Sequence, residues 1–260
     1  MVAEREGAAR SGAQSVERAL AVLRCFGQGN AEDLGITQLA AATGLTVSTT
    51  HRLVQALRAE GVLVQDAASE RYRLGPLLVV LGRRAEDHLG FARAQPVLEA
   101  LSETTGESVN LGIRSGAEVL VVLDVASRHP LRFDQAPGSR IPVHTSAMGK
   151  CLLAFSSLDP AAEVAALPDL AGMTTRTITD PSSLLAELAA VRARGWAVND
   201  EERNPGVRAV GAPVLVDGRA VAALAVQGPT VRLTDASLER VATALVAAAA
   251  ELAPLLVASR

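Results

Sequence analysis

The sequence has two cysteines, Cys25 and Cys151, far apart and outside any C-x-x-C spacing. No disulfide framework can be built from them, and a reducing, cytoplasmic setting is expected. Four histidines are scattered without zinc-ligand spacing, so neither a metal nor another cofactor is expected. Lysine is nearly missing: of 25 cationic side chains only Lys150 is a lysine. With so many Ala and Val residues this reads as the bias of a GC-rich genome. There is no surplus of positive charge either. The 25 cations face 28 Asp and Glu, for a net charge of −3 and a pI of about 5.9. That excludes a non-specific polycation but leaves room for a local DNA-reading surface. The N-terminal segment MVAEREGAARSGAQ lacks the apolar stretch of a signal peptide. The one membrane-like run, 241–258, is mostly alanine and carries Glu251 and Pro254, so it reads as a soluble helix.

What is present is 260 residues, 49% hydrophobic and 20% charged. That is enough for one or two domains with a real core, and it rules out a disordered polymer. Residues 1–12 are small, charged and aperiodic, and are expected to form a disordered tail. Ser15 stands as the cap of a first helix carrying Val16, Leu20, Leu23 and Phe26, with Gly27 and Gly29 ending it. Further helices are expected at 36–43 and 47–60, then a hairpin of 62–65 and 71–75. A linker helix over 76–95 should end before Pro96, with a further helix near 96–104. Strand-like segments follow at 108–113, 119–125 and 130–135, a helix at 146–157, a polar stretch to Asp180, and a helix at 182–194. Strands at 196–199, 207–216 and 220–227 and a helix over 234–258 close the chain. Asp217-Gly218 suits a type I′ hairpin turn. The organisation is therefore α+β in two domains: 13–75, a linker at 76–95, and 96–260 with an antiparallel sheet.

The sharpest signal is QLAAATGLTVSTTHRLVQAL, 38–57. Small Ala40 allows two helices to approach, and Gly44 permits the tight turn of a helix-turn-helix. Val47, Thr50, Leu53, Val54 and Leu57 should pack inward, leaving Ser48, Thr49, His51, Arg52 and Gln55 outward where a recognition helix meets bases. Thr46 caps that helix and joins the same face. The hairpin after it forms a wing in which Arg71 and Arg73 alternate with core-facing Tyr72 and Leu74, and the two cations suit phosphates. His51 either touches DNA or is merely solvated. Against this stands a three-helix core unit of some other protein, since residues 1–75 carry eight Arg and eight acids. The combination of cap, turn, glycine and wing in order favours double-stranded DNA as a partner. In the second half, Ser146 of TSAMGK can cap a helix whose first N–H groups, at Ala147–Gly149, would face an anion.

The chain as a whole resembles the IclR-type transcriptional regulators. The matching stretches include SVERALAVLRCF (15–26), ITQLAAATGLTVSTTHRLVQAL (36–57), RYRLGPLL (71–78), TGESVNLG (105–112), TSAMGKCLLA (145–154), TRTITD (175–180), LAAVRARGWAVNDEE (188–202), GVRAVGAPV (206–214) and VAALAVQGP (221–229). The resemblance implies a winged helix-turn-helix joined by a helix to a GAF-like effector-binding domain. It implies a homodimer or dimer of dimers on a palindromic operator, responding to a small organic acid or aromatic catabolite. Carried over residue by residue, it puts effector contacts at Phe133, Ile141, Ala147, Met148, Gly149, Asn199, Ala209, Ala225 and Gln227. Some members have Asp at the place of Asn199, Cys at Ala209, and Ser at Ala225 and Gln227, so this pocket is less polar at two positions.

Other constellations read as structure. Cys151 opens the apolar run CLLAF and is expected to be a buried thiol, although a helix start and Lys150 would lower its pKa. Glu201-Glu202 reads as a solvated or hydrogen-bonding pair, and His144 with Ser146 has no acid to complete a triad. Trp196 reads as core. The alternative to a regulator is a soluble α+β enzyme with an accessory DNA-binding unit. It is disfavoured because the sequence has no G-x-x-x-x-G-K loop and no nucleophile elbow.

Overall fold

A computed structural model describes residues 2–27 and 32–256, with residues 2–12 described by their backbone alone. The chain divides into two compact units, Met1–Ala85 and Glu86–Arg260.

The first unit contains α1 (Val2–Cys25), α2 (Ile36–Thr43) and α3 (Val47–Ala59), then a two-stranded antiparallel hairpin of β1 (Leu63–Gln65) and β2 (Tyr72–Leu74). Val22, Leu39, Val54, Leu63 and Tyr72 form its core. Gly44, at φ 68°, ends α2 in the left-handed conformation that the expected tight turn requires. Four expectations change here. Helix α1 runs from Val2, through the segment expected as a disordered tail. Its Ala, Glu and Arg content, with no proline, favours helix, so Ser15 lies within α1 instead of capping it. Val47, the first residue of α3, is 52% exposed beyond the core edge. Leu74, the last residue of β2, is 48% exposed although its cross-strand partner Leu63 is buried. Gly29 lies outside the described residues.

Helix α4 (Pro76–Leu89) crosses the division between the units. The expected linker does not run to residue 95. It breaks at Gly90, at φ 79°, where a Cβ would strike the Leu255 carbonyl. Helix α5 (Phe91–Thr105) then runs through Pro96, so the glycine and not the proline sets the boundary.

The second unit is built on a six-stranded antiparallel sheet. Its strands are β3 (Ser108–Ser115), β4 (Glu118–Val125), β5 (Arg140–Pro142), β6 (Ala197–Asp200), β7 (Val207–Val216) and β8 (Arg219–Pro229), in the order β5-β4-β3-β8-β7-β6. Between β5 and β6 lie α6 (Ala147–Ala154), α7 (Pro160–Ala165) and α8 (Pro181–Arg194), and α9 (Asp235–Leu252) follows β8. Asp217 and Gly218 take the positive φ of the expected hairpin turn. Residues 130–135, expected as a strand, form none; the edge strand is the short β5 instead. Helix α7 interrupts the expected polar stretch, started by Asp159 as cap and Pro160 as first residue. Alternation along the strands gives the sheet two apolar faces. Leu111, Val210, Leu224 and Val226 pack with α5 and α9, while Val121, Ala209, Ala223 and Ala225 pack with α6 and α8.

Inside a helix, replacing glycine by alanine ordinarily stabilises. Gly149 reverses the sign, because its Cβ would collide with the backbone of Val143. Gly149→Ala is expected to lower unfolding stability by about 1–3 kcal/mol in urea titration.

Candidate DNA interface and effector site

Helix α3 has two sides. Thr50 and Val54 are buried, and Leu53 and Leu57 are half-buried against the core; Ser48, His51 and Arg52 are exposed. Thr46 caps the helix, its Oγ1 accepting from the Thr49 N–H at 3.2 Å and donating to Thr49 Oγ1 at 2.9 Å. These two threonines therefore fix the helix start. His51 and Arg52 make no hydrogen bond or ion pair among the described residues, and neither does the exposed Arg73 on the wing.

Two residues expected to face DNA are engaged within the unit. Gln55 Nε2 donates to Tyr72 Oη at 3.1 Å, and Gln55 Oε1 accepts from Arg58 at 3.3 Å. It braces α3 against the wing. Arg71 donates through Nε to Asp33 at 2.6 Å and through a second nitrogen to the Asp33 carbonyl and to Gln38, each at 2.9 Å. It ties the wing to α2 through two of its three guanidinium nitrogens. At the wing tip Asp66 accepts from the Ala68 and Ser69 N–H groups and from the Ser69 hydroxyl, which hold its carboxyl below the usual range.

In the second unit, all eight residues of α6 are buried. Ser146 caps it as expected, its Oγ accepting from the Gly149 N–H at 3.0 Å. Gly149 is thus satisfied internally, which narrows the expected anion-facing set to the Ala147 and Met148 N–H groups. Neither of these donates to a group among the described residues. The start of α6 lies against the sheet, where a Cβ on Gly211 would come within 2.7 Å of the Ala147 backbone and one on Gly112 within 3.0 Å of Met148 Sδ. Opposed residues of antiparallel strands share a face. One row therefore runs Ala197, Gly211, Ala225, Asn110, Asp124 across β6, β7, β8, β3 and β4. The next row runs Asn199, Ala209, Gln227, Ser108. Asn199, Ala209, Ala225 and Gln227 are thereby brought to the α6 face, and buried Ile141 on β5 packs with the same cluster. Phe133 lies in the irregular segment before β5 and is half-buried.

Reasoning from sequence missed the polar companions of this face. Gln227 Nε2 donates to Asn110 Oδ1, and Asn110 Nδ2 donates to Asp124 Oδ1 at 2.7 Å and to the Gln135 carbonyl at 3.1 Å. The signal was a polar residue inside each of two apolar strands, VNLGI and VVLDV, but only the register pairs them. Asn199 Oδ1 accepts from the Glu202 N–H at 2.9 Å and so braces the β6 turn.

In the sequence Lys150 stands out only as the neighbour of Cys151. It is 1% exposed and donates to Glu202 at 2.6 Å and to the Val198 carbonyl at 2.9 Å, with Glu187 at 3.6 Å. Burial pushes the Glu202 carboxyl above its usual range, against the pull of the Lys150 ammonium. Cys151 is buried, and desolvation pushes its thiol up to about 12, which suits a structural role and not a nucleophile. His144 Nε2 meets the Ala171 carbonyl at 3.1 Å. Trp196 packs half-buried against the core beneath the Arg194 guanidinium. Among the described residues no group of three His, Cys, Asp or Glu could hold a metal, and no helix is long and apolar enough to cross a membrane.

Two family models match the chain: the IclR helix-turn-helix domain over residues 15–67, and the bacterial transcriptional regulator IclR C-terminal domain over 88–253. The HTH-type transcriptional regulator BhcR of Paracoccus denitrificans is 35% identical, covering 93% of this chain and 86% of its own length. The glycerol operon regulatory protein of Streptomyces griseus is 39% identical, covering 85% of this chain and 86% of its own. Among solved structures, an IclR transcriptional regulator from Alicyclobacillus acidocaldarius superposes with a TM-score of 0.83 at 28% identity, covering 93% and 98% of the two chains. All three are named as regulators, against the alternative of an enzyme.

A buried ion pair broken on one side leaves an uncompensated charge. Lys150→Met is expected to cost about 3–5 kcal/mol near neutral pH in denaturant titration, and Lys150→Met with Glu202→Leu is expected to recover most of it. In the single variant Glu202 takes up a proton more readily folded than unfolded. The folded state then binds more protons above the unfolded carboxyl value of 4.5, so stability falls as pH rises through and above it.

Proposed function

Because the chain belongs to the IclR family of bacterial transcriptional regulators, we propose that it acts in the cytoplasm as a homodimer or dimer of dimers. In this reading it binds a palindromic operator and responds to a small carboxylic acid. The observation that carries the DNA half is the exposed row on α3. Ser48, His51 and Arg52 are exposed on a helix whose other side is core, and Arg52 has no hydrogen-bond or ion-pair partner among the described residues. Ser48, His51 and Arg52 then face the major groove, and Arg73 takes a phosphate. Arg71 and Gln55 act by holding the wing. One such helix reads too few bases for a unique site, so a two-fold pair is needed. Val16 and Leu20 on α1, 60% and 46% exposed, and Val79, Val80 and Leu81 on α4, all above 50%, supply apolar surface for association.

The effector half rests on the start of α6. A helix N-terminus carries unpaired N–H donors and about half a positive charge, and the Ala147 and Met148 N–H groups suit a carboxylate. Ala209 and Ala225 offer an apolar floor of methyl groups beside them. A few-fold to hundred-fold change in operator affinity needs a coupling of about 1–3 kcal/mol between the two units.

Arg52→Ala is expected to relax sequence preference by about 1–3 kcal/mol, read as binding to operator and to single-base variants of it. Arg73→Ala is expected to weaken every site alike and to reduce the salt slope by about one. The DNA fragment is the one upstream of the chain's own gene. Arg52→Ala binding with unchanged preference would contradict this arrangement.

A further inference from the structure

The edge of the sheet carries a cavity outside the candidate effector site. β6 is the edge strand, and its Val198 carbonyl is taken by the Lys150 ammonium. Around that contact lies a cavity of about 450 Å3 whose charged lining is Lys150, Arg176, Glu187, Arg194, Asp200 and Glu202. Three cations thus face three acids. None of these residues belongs to the candidate effector site at the start of α6.

The buried ion pair leaves one donor and one acceptor unmet at this cavity. An ammonium has three N–H donors. Those of Lys150 reach the Val198 carbonyl at 2.9 Å and Glu202 Oε1 at 2.6 Å, while Glu187 Oε1, at 3.6 Å, stands beyond hydrogen-bond length. Glu202 Oε2 is buried and accepts nothing among the described residues. Leaving a buried acceptor unpaired is costly, and native proteins pair nearly all of them. A water molecule takes about 30 Å3 of liquid, so one water completes Glu202 and leaves most of the cavity unfilled. At the exposed rim, Arg194 donates to Glu187 at 2.8 Å and Arg176 donates to Asp200. Arg194 Nη1 and Arg176 Nη2 donate to nothing among the described residues.

We propose that this cavity is a second ligand site, which takes a neutral polyhydroxy compound of the size of a monosaccharide or cyclitol. The group that completes the pair accepts from the Lys150 ammonium and donates to Glu202 Oε2. A hydroxyl does both through one oxygen. An anion brings no donor and is repelled by Glu202. An ammonium brings no acceptor and adds a fourth cation to a lining that is already balanced. Neighbouring hydroxyls also match the rim, each accepting from a guanidinium and donating to the carboxylate beside it. This second site does not rest on the proposed effector site.

Lys150 is the sole lysine of the chain, so full-length protein labelled with 15N at lysine Nζ gives one side-chain ammonium signal. Of D-glucose, D-galactose and myo-inositol, which differ in hydroxyl geometry, at least one is expected to move that signal saturably at millimolar concentration. Tetrahydropyran, the sugar ring without hydroxyls, is expected to leave it in place. D-glucuronate and D-glucosamine are expected to bind about tenfold more weakly than that neutral ligand. Arg176→Ala, at the exposed rim, is expected to weaken the neutral ligand about tenfold, and Glu202→Gln to abolish its binding. The ligand comparison in the unaltered protein stands even where Glu202→Gln fails to fold. A signal unmoved by all three neutral compounds would leave water as the occupant and overturn the proposal. So would a signal moved equally by tetrahydropyran, or charged sugars binding as tightly as neutral ones. A sugar response abolished by phenylacetate would place both ligands in one site and overturn the second site.

Discussion

A helix can rest its first turn on a β-sheet only where the sheet has no side chain beneath it. In the second unit that condition is met at Gly211 under the Ala147 backbone, while Gly112 leaves room for the Val119 and Met148 side chains. A third glycine, Gly149, lets the helix press back on Val143. The start of α6 is thereby set against a floor of Ala209 and Ala225, and its Ala147 and Met148 N–H groups, left outside the Ser146 cap, come to the same face as Asn199, Gln227 and Asn110. Most of the candidate effector site follows from this one approach. Any side chain at Gly211 would lift the donors from the floor.

A buried ion pair fixes the other side of the same helix. Lys150 projects from α6 to Glu202, just beyond β6, and its ammonium also takes the Val198 carbonyl of that strand. A charge pair of this kind is weak evidence for stability, since two desolvated ions recover little net energy. What it supplies is register: α6 cannot slide along the sheet without leaving a charge uncompensated in the interior. Glycines that allow contact and an ion pair that forbids sliding together leave the candidate effector site little freedom of its own. Such a site suits a sensor whose response depends on small displacements.

Periodicity and punctuation made much of the architecture legible. The three helices around Gly44, the wing, the Asp217-Gly218 hairpin and the capped helix at Ser146 all rest on local rules, and the structure carries each of them. What escaped depends on partners distant in sequence. Arg71 and Gln55 carry the right chemistry for DNA, but Asp33, 38 residues away, and Tyr72, 17 residues away, claim them first. Lys150 and Glu202 are 52 residues apart, and Asn110 and Gln227 are 117 apart. No pattern along the chain announces such pairs. The helix break at Gly90 was masked by Pro96, the louder local signal, because the Leu255 carbonyl that forbids a side chain at Gly90 is contributed from the far end of the chain.

The central claim is that the N–H groups at the start of α6 receive the effector's carboxylate, and one amide reports it. The chain has three methionines, at 1, 148 and 173, so labelling with 15N-methionine gives a proton–nitrogen spectrum with few signals, one of them the Met148 N–H. The account predicts that titration with phenylacetate moves the Met148 amide downfield while Met173 stays in place, and that phenylacetamide moves neither. A Met148 signal unmoved at saturating acid, or moved equally by the amide, would contradict it.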